Sequence, residues 1–167
     1  VPFRCLLPQN FNNLLVPICL SASHVGWGTL RLEPTLMHIG ESSGYAAALS
    51  IEKKVNPSNV DIIALQRRLV RSGVMISFFN DCDLSTSEAI KQAVQFFGSK
   101  GFFADYDVHP SEPLTKNLGK VWCNSVFDLL NFSLNAADLA QKVNQYQSNE
   151  LVPYSLNNFL KDLSDVF

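Results

Sequence analysis

The side chains best suited to chemistry lie close together in residues 21–35. His24 is a candidate for proton transfer, because an imidazole gains and loses a proton near neutral pH. Arg31 is a candidate for holding a carboxylate, because its planar guanidinium offers paired donors. Each also has a plainer interpretation, since His24 has no evident carboxylate partner and a lone arginine often forms a surface ion pair.

The surrounding pattern predicts elements that would position these two side chains. The apolar run Leu14–Leu20 predicts a short buried strand, which Pro17 confines to a sheet edge or a bulge. A loop of small and polar residues, 21–31, follows it, and Glu33-Pro34 then begins a helix that extends to about residue 53. A strand, a glycine-containing loop and a helix N-terminus together often hold an anion or the polar edge of a ring.

The predicted helix carries small residues on one face, namely Gly40, Gly44, Ala47 and Ala48. Small residues at this spacing let another backbone approach closely, and plain close packing against a strand or helix is the favoured interpretation. Trp27, in the loop before this helix, has two interpretations as well: stacking on a ring system, or packing in the core.

The first part of the chain resembles the C-terminal part of bacterial FAD-dependent oxidoreductases, whose dinucleotide-binding domain is N-terminal. The residues that carry the resemblance are Pro2-Phe3-Arg4-Cys5-Leu6-Leu7-Pro8, Asn13-Leu14-Leu15-Val16, Cys19-Leu20-Ser21-Ala22-Ser23-His24, Gly28, Arg31, Pro34, Met37, Gly40, Gly44 and Ala46-Ala47-Ala48. The family's phosphate-binding motif G-x-G-x-x-G does not occur here, since Gly26-x-Gly28 and Gly40-x-x-x-Gly44 do not fit its spacing. The resemblance therefore implies a fragment, as does a chain that begins with Val.

The resemblance also implies roles for residues and partners. FAD would be the cofactor of the full-length protein, and the fragment would neither retain it nor be active alone. His24 and Arg31 would be catalytic, and the flavin would contact Ser21, Gly28, Arg31, Glu33, Pro34 and Thr35. The expected partners are the missing N-terminal dinucleotide-binding segment and a small-molecule substrate. Many family members have a small residue near Pro17 and a basic one near Ile18, so this chain departs from the pattern there.

The second half of the chain has a different sequence pattern from the first, and we expect a domain boundary near Phe79. A helix with an apolar stripe is predicted from about Asn59 to Ser72, before that boundary, with Ser58 or Asn59 as its cap and Gly73 placed to end it. After it, residues 80–167 read as a helical appendage, with helices predicted after a Ser85–Glu88 capping box, after Thr115, over residues 133–148 and after Ser155.

Part of this appendage resembles a single S-layer-homology-like repeat. The matching residues are Asn80-Asp81, Glu88-Ala89-Ile90, Gly101, Tyr106 and Pro113-Leu114-Thr115. The family commonly has Arg-Ala-Glu after that threonine, where this chain has Lys116-Asn117-Leu118. The resemblance leaves two alternatives open for the appendage, a cell-wall or glycan-binding module without enzymatic activity, or a structural helical region beneath the flavin domain.

Composition sets broad limits on the whole chain. Its 167 residues carry a formal charge of −2, which gives no electrostatic reason to expect nucleic acid or an anionic membrane. No apolar run approaches the ~20 residues of a membrane span. Four scattered cysteines and three histidines lack metal-ligand spacing, so we expect no metal. The cysteines leave the compartment open, a secreted or periplasmic location in a bacterium being one alternative. The expected fold is mostly α, with short N-terminal strands from a larger α/β flavin domain and about five or six helices after them.

Overall fold

The structure is a computed structural model that describes residues 1–82, 87–146 and 151–155. Its contacts divide the chain into unit 1, Val1–Ser72, and unit 2, Gly73–Phe167. The division falls a few residues before Phe79, where the sequence placed the boundary. The assignment of the two parts to a flavin domain and an S-layer-like appendage stays a prediction.

Unit 1 consists of three α-helices joined by short 3₁₀ turns and extended segments. The helices are α1 (His24–Leu30), α2 (Glu33–Lys53) and α3 (Ile62–Arg71), and the turns are Phe3–Leu6 and Pro57–Asn59. Pro34 lies at the start of α2, as predicted, and Lys54 ends it with a left-handed backbone, φ 54°.

The helix predicted over residues 59–72 is α3, but it begins later than expected. Asp61 caps it by accepting a hydrogen bond from the Ile63 N–H at 2.9 Å. Ser58 and Asn59 were the predicted caps, and this prediction is wrong because a 3₁₀ turn occupies Pro57–Asn59. A carboxylate directly before the first helical residue is an equally good acceptor for the free N–H groups of the first turn.

The predicted strand over Leu14–Leu20 and the predicted loop over residues 21–31 are not formed. The segment makes isolated backbone hydrogen bonds instead, from Val16 N–H to the Leu6 carbonyl at 2.9 Å and from Ser21 N–H to the Cys5 carbonyl at 3.0 Å. Pro17 lies between them without an N–H, so a continuous ladder does not develop. The loop is mostly the helix α1, because the Ser23 hydroxyl caps it by accepting from the Gly26 N–H at 3.1 Å.

Unit 2 contains α4 (Glu88–Gly98), α5 (Lys116–Leu130) and α6 (Ala136–Tyr146). The short strand β1 (Pro113–Thr115) pairs antiparallel with β2 (Leu151–Ser155). Thr115 caps α5 as predicted, accepting from the Leu118 N–H at 3.3 Å. Ser85 of the predicted capping box and the helix predicted after Ser155 lie outside the described residues.

Aromatic rings form the core of unit 2. Phe97 and Phe102 are each only 1% exposed, and their rings meet edge to face with centroids 4.9 Å apart. The Trp122 indole N–H donates to the Phe102 carbonyl at 2.9 Å, which satisfies a polar group in a buried position. The mostly helical fold class is thus confirmed, while the strands of the described residues lie in unit 2 rather than at the N-terminal end.

Candidate functional site

The candidate site is a stripe along α1 formed by His24, Gly28 and Arg31, which we call the α1 stripe. The three residues are spaced i, i+4 and i+7, and Arg31 keeps a helical backbone as the C-cap. They therefore lie on one side of the helix, with the first and last about 10 Å apart along its axis. All three are exposed.

The side of α1 next to this stripe packs against the rest of unit 1. Trp27 and Leu30 are partly buried against a core cluster of Leu6, Leu20 and Ile39. Trp27 is three residues from His24 and four from Arg31, so it borders the stripe, whose own three residues stay exposed. Trp27 therefore packs partly against the core, as one of its two interpretations predicts, while ring stacking stays a prediction.

Gly28 leaves bare backbone between the two charged or titratable side chains. A methyl group at Gly28 would meet no neighbouring atom within 4 Å, so no protein atom fills this space. A planar ligand can therefore approach the helix backbone here, with an imidazole on one side and a guanidinium on the other. Neither His24 nor Arg31 makes a side-chain hydrogen bond or ion pair to another described residue.

The N-terminus of α2 follows Arg31 directly in the chain. Its N-cap residue, Leu32, provides no side-chain hydrogen bond, so the N–H groups of Glu33 and Thr35 have no cap from that residue. Pro34 has no N–H to satisfy. The helix dipole and these donors favour negative charge beside Arg31, and the Glu33 carboxylate in the first turn supplies part of it.

Ser21, the remaining predicted contact, lies before α1 and is exposed. Its own N–H is engaged with the Cys5 carbonyl at 3.0 Å, which leaves its hydroxyl as its available donor. The structure therefore gathers His24, Gly28 and Arg31 on one stripe and places Glu33, Pro34 and Thr35 at the start of the next helix. Roles for these residues toward a cofactor stay predictions.

Sequence reasoning missed part of a second exposed surface, on α2. Five residues of α2 recur at alternating spacings of three and four, which is the pattern of a helix-packing seam. They are Met37, Gly40, Gly44, Ala47 and Ile51. Met37 is 74% exposed and Ile51 78%, and methyl groups at Gly40 or Gly44 would meet no neighbouring atom within 4 Å. We call these five residues the α2 seam. The glycines and Ala47 were identified in the sequence as a face of small residues. The alternating spacing of three and four would have added Met37 and Ile51 and so identified the whole α2 seam.

An ion pair joins α2 and α3. Arg68 donates to Glu52 across α2 and α3 at 2.6 Å, and this hydrogen bond lowers the pKa of Glu52 and raises that of Arg68.

The described residues contain no group of three or more His, Cys, Asp or Glu side chains arranged to hold a metal ion. None of the helices in the described part of the chain is long and apolar enough to cross a membrane.

The first part of the chain matches a known protein family. Residues 1–69 match the family model described as FAD dependent oxidoreductase. The match stops just before the end of unit 1 and supports an FAD-dependent oxidoreductase region there. No curated protein and no solved structure matches the chain. The S-layer-like resemblance of the second half and a bacterial origin stay predictions.

Proposed function

We propose that unit 1 is the C-terminal part of an FAD-dependent oxidoreductase domain and that the α1 stripe and the start of α2 face the flavin. The observation that carries the proposal is the family match over residues 1–69. The polypeptide that would complete the domain, with its phosphate-binding motif, is encoded upstream of Val1 in this proposal. A small-molecule substrate is what an oxidoreductase of this kind would transform.

The residues present fit a planar ring with an edge that becomes negative. When bound, FAD supplies the electron or hydride transfer, and the protein supplies orientation and electrostatics. Gly28 offers open backbone for the approach of a ring, because no neighbouring atom would contact a Cβ there. Ser21 adds an exposed hydroxyl near the beginning of the same helix.

Arg31 and the α2 N-terminus act together on the negative charge of the reduced ring. The guanidinium is exposed, and the donors of Glu33 and Thr35 receive no side-chain cap from Leu32. A helix N-terminus contributes ~0.3–1 kcal/mol when exposed and up to ~2 when partly buried, so this pair of features tunes reactivity rather than creating it. His24, at the other end of the stripe, holds or releases a proton on the substrate side.

The α2 seam is the surface on which the rest of the domain packs in this proposal. Its glycines and Ala47 let a backbone approach closely, while Met37 and Ile51 provide apolar contacts at either end. An exposed apolar stripe of this length on one helix is costly for a chain that buries nothing against it. Leu14 and Ile18, 45% and 60% exposed, add apolar surface elsewhere in unit 1.

The test is expression of the complete reading frame, including the coding sequence upstream of Val1. We expect a purified yellow protein with one FAD per chain, whereas the 167-residue chain mixed with FAD should lose it on desalting. A complete protein that neither contains nor takes up flavin would contradict the proposal, as would the absence of upstream coding sequence.

Site variants in the complete protein separate a flavin role from a structural one. Arg31→Ala should lower the two-electron flavin potential by roughly 20–45 mV, because about 1–2 kcal/mol of charge stabilisation is lost. Arg71→Ala, an exposed arginine at the end of α3, is the matched control and should leave the potential unchanged. Gly28→Ala should weaken FAD retention while leaving folding intact, since the methyl group meets no protein atom. Equal potentials and FAD retention in all three variants would remove the α1 stripe from the flavin site.

A further inference from the structure

Unit 2 contains a cavity of about 230 Å³ that the flavin proposal does not use. It lies among the segment after α4, the β1 strand and the inner sides of α5 and α6. Its lining combines buried apolar side chains with exposed acidic ones. The lining residues are Phe102, Phe103, Ala104, Asp105, Asp107, Val108, His109, Glu112, Pro113, Leu114, Thr115, Leu118, Trp122 and Val143.

The inner part of the cavity is apolar and rigidly held. Phe102, Trp122 and Val143 are each at most 2% exposed. The Phe103 ring meets Trp122 edge to face, with centroids 5.8 Å apart, and the Trp122 indole is tied to the Phe102 carbonyl. These contacts keep the aromatic wall in place whether or not a ligand is present.

The outer part of the cavity is acidic. Asp105 and Glu112 are exposed, and Asp107 is partly exposed. Among the described lining residues there is no lysine or arginine, and the one other titratable side chain, His109, lies 3.2 Å from a Glu112 carboxylate oxygen. The cavity therefore presents negative charge at its mouth and apolar surface at its base.

A hydrogen-bonded loop holds the acidic residues in position. The Asp81 carboxylate accepts from the backbone N–H groups of Val108 and His109 at 2.8 and 2.6 Å. Asp107 receives the Asn80 side-chain amide at 3.2 Å, and its own N–H donates to Asp105 at 2.9 Å. The carboxylates are thus placed before a ligand arrives, which reduces the ordering cost of binding.

We propose that this cavity binds a small organic cation, an ammonium group on a short apolar or aromatic body. The carboxylates of Asp105, Asp107 and Glu112 attract the ammonium, and the Phe103 ring adds a cation–π surface beside it. The apolar body occupies the base formed by Phe102, Trp122 and Val143. The volume lies below the ~300–1,000 Å³ of pockets for drug-sized ligands, so the ligand has about one ring.

Three ligands of similar shape and different charge test the proposal on the 167-residue chain. Phenethylamine, phenethyl alcohol and phenylacetate are titrated separately by ligand-observed NMR and calorimetry at low and high salt. We expect the amine to bind at least tenfold more tightly than the alcohol, the carboxylate not to bind, and the amine's affinity to fall with salt. Equal binding of amine and alcohol, no binding of the amine at millimolar concentration, or preferential binding of a neutral monosaccharide would each overturn the proposal.

Charge-removing variants locate the binding to this cavity. Asp105→Asn retains the oxygen that accepts from the Asp107 N–H, so the loop keeps its geometry. We expect it and Glu112→Gln each to weaken amine binding about twofold to fivefold, the range for one exposed charge pair. Asp128→Asn, an exposed carboxylate of α5 outside the cavity, is the control and should change nothing. Equal affinities in all three variants would overturn the assignment, and circular dichroism of each variant establishes that it is folded.

Discussion

The two units of this chain use their helices in opposite ways. Unit 2 has buried aromatic side chains, among them Phe97, Phe102 and Trp122, whose rings contact one another in its core. Unit 1 has no fully buried aromatic side chain among its residues, and its longest helix, α2, leaves the α2 seam open. Fully buried aromatic side chains therefore occur in the unit without a family match and not in the unit where the match to an oxidoreductase family lies.

The glycines of the two units differ in the same way. A glycine inside a helix lowers its stability by ~0.5–1 kcal/mol relative to alanine, so Gly40 and Gly44 weaken α2 as long as nothing packs on them. In unit 2, by contrast, a close contact or a positive φ within the unit itself requires glycine at two positions. Gly98 touches Phe79, and Gly101 adopts φ +85° beside the Ala136 carbonyl.

The largest expected effect comes from breaking the aromatic core of unit 2. Phe97→Ala should lower the free energy of unfolding by about 3–5 kcal/mol, because the ring is 1% exposed and its removal leaves a cavity. Urea denaturation followed by circular dichroism and by tryptophan fluorescence measures it, since Trp27 and Trp122 report on different units. Phe127→Ala is the control, because that ring is 67% exposed and its loss should change stability by less than about 0.5 kcal/mol. Similar effects of the two variants would mean that the rings of unit 2 do not form a packed core.

A smaller effect, of opposite sign in the two units, is expected when helix glycines become alanine. Gly40→Ala and Gly44→Ala should each raise stability by ~0.5–1 kcal/mol, since the methyl groups meet no neighbour. Gly98→Ala should lower it by about 1–3 kcal/mol, because the new Cβ would come within 2.5 Å of the Phe79 ring. Thermal and urea unfolding of the single variants measure the signs. Destabilisation by the unit 1 variants would show that the α2 seam is already covered, and would contradict the comparison.

In the complete protein, the same unit 1 variants sharpen the proposal that the rest of the domain packs on the α2 seam. There, added methyl groups at Gly40 and Gly44 would stand in the way of a closely approaching backbone, so the stabilisation should vanish or reverse. A gain in stability that persists in the complete protein would show that nothing packs closely on this face.

Several features of the fold could be predicted from local signals because those signals act within a few residues. Three such features depend on backbone groups close in sequence: the start of α2 at Pro34, the cap of α5 at Thr115 and the end of α3 before Gly73 (φ +77°). The strand over Leu14–Leu20 could not be predicted reliably, because a strand exists only where another backbone pairs with it. The sequence contains the β-prone residues but does not say whether a partner lies beside them.

The candidate site shows the same limit. The residue types of His24, Gly28 and Arg31 indicated chemistry, but a predicted loop gave no reason to place them on one stripe. Their common face depends on the Ser23 cap, which makes residues 24–30 helical, and on Trp27, which packs inward. The cavity of unit 2 was not noticed in the sequence because its acidic and aromatic residues come from separate elements, brought together by Asp81 and the loop that it holds.

The smallest expected effect concerns the ion pair of Arg68 and Glu52, which joins α3 to α2 inside unit 1. Arg68 donates to Glu52 at 2.6 Å, and this hydrogen bond holds the pKa of Glu52 below its ordinary value of 4.5. A carboxyl whose pKa is lower in the folded state stabilises the fold above its unfolded pKa, and this contribution is lost as the pH falls through its folded pKa. Arg68→Gln should therefore lower the urea midpoint slightly at pH 7 and low salt. The difference from the unmodified chain should shrink at pH 3 or in 1 M salt, because both side chains are solvent-exposed.

Arg71→Gln is the matched control for that comparison, since Arg71 lies on the same helix, is exposed and makes no ion pair within the described residues. Its urea midpoint should follow that of the unmodified chain at every pH. If the Arg68→Gln difference persisted unchanged at pH 3, the charge of Glu52 would not be its cause. The aliphatic stem of Arg68 packing between α2 and α3 would then account for it.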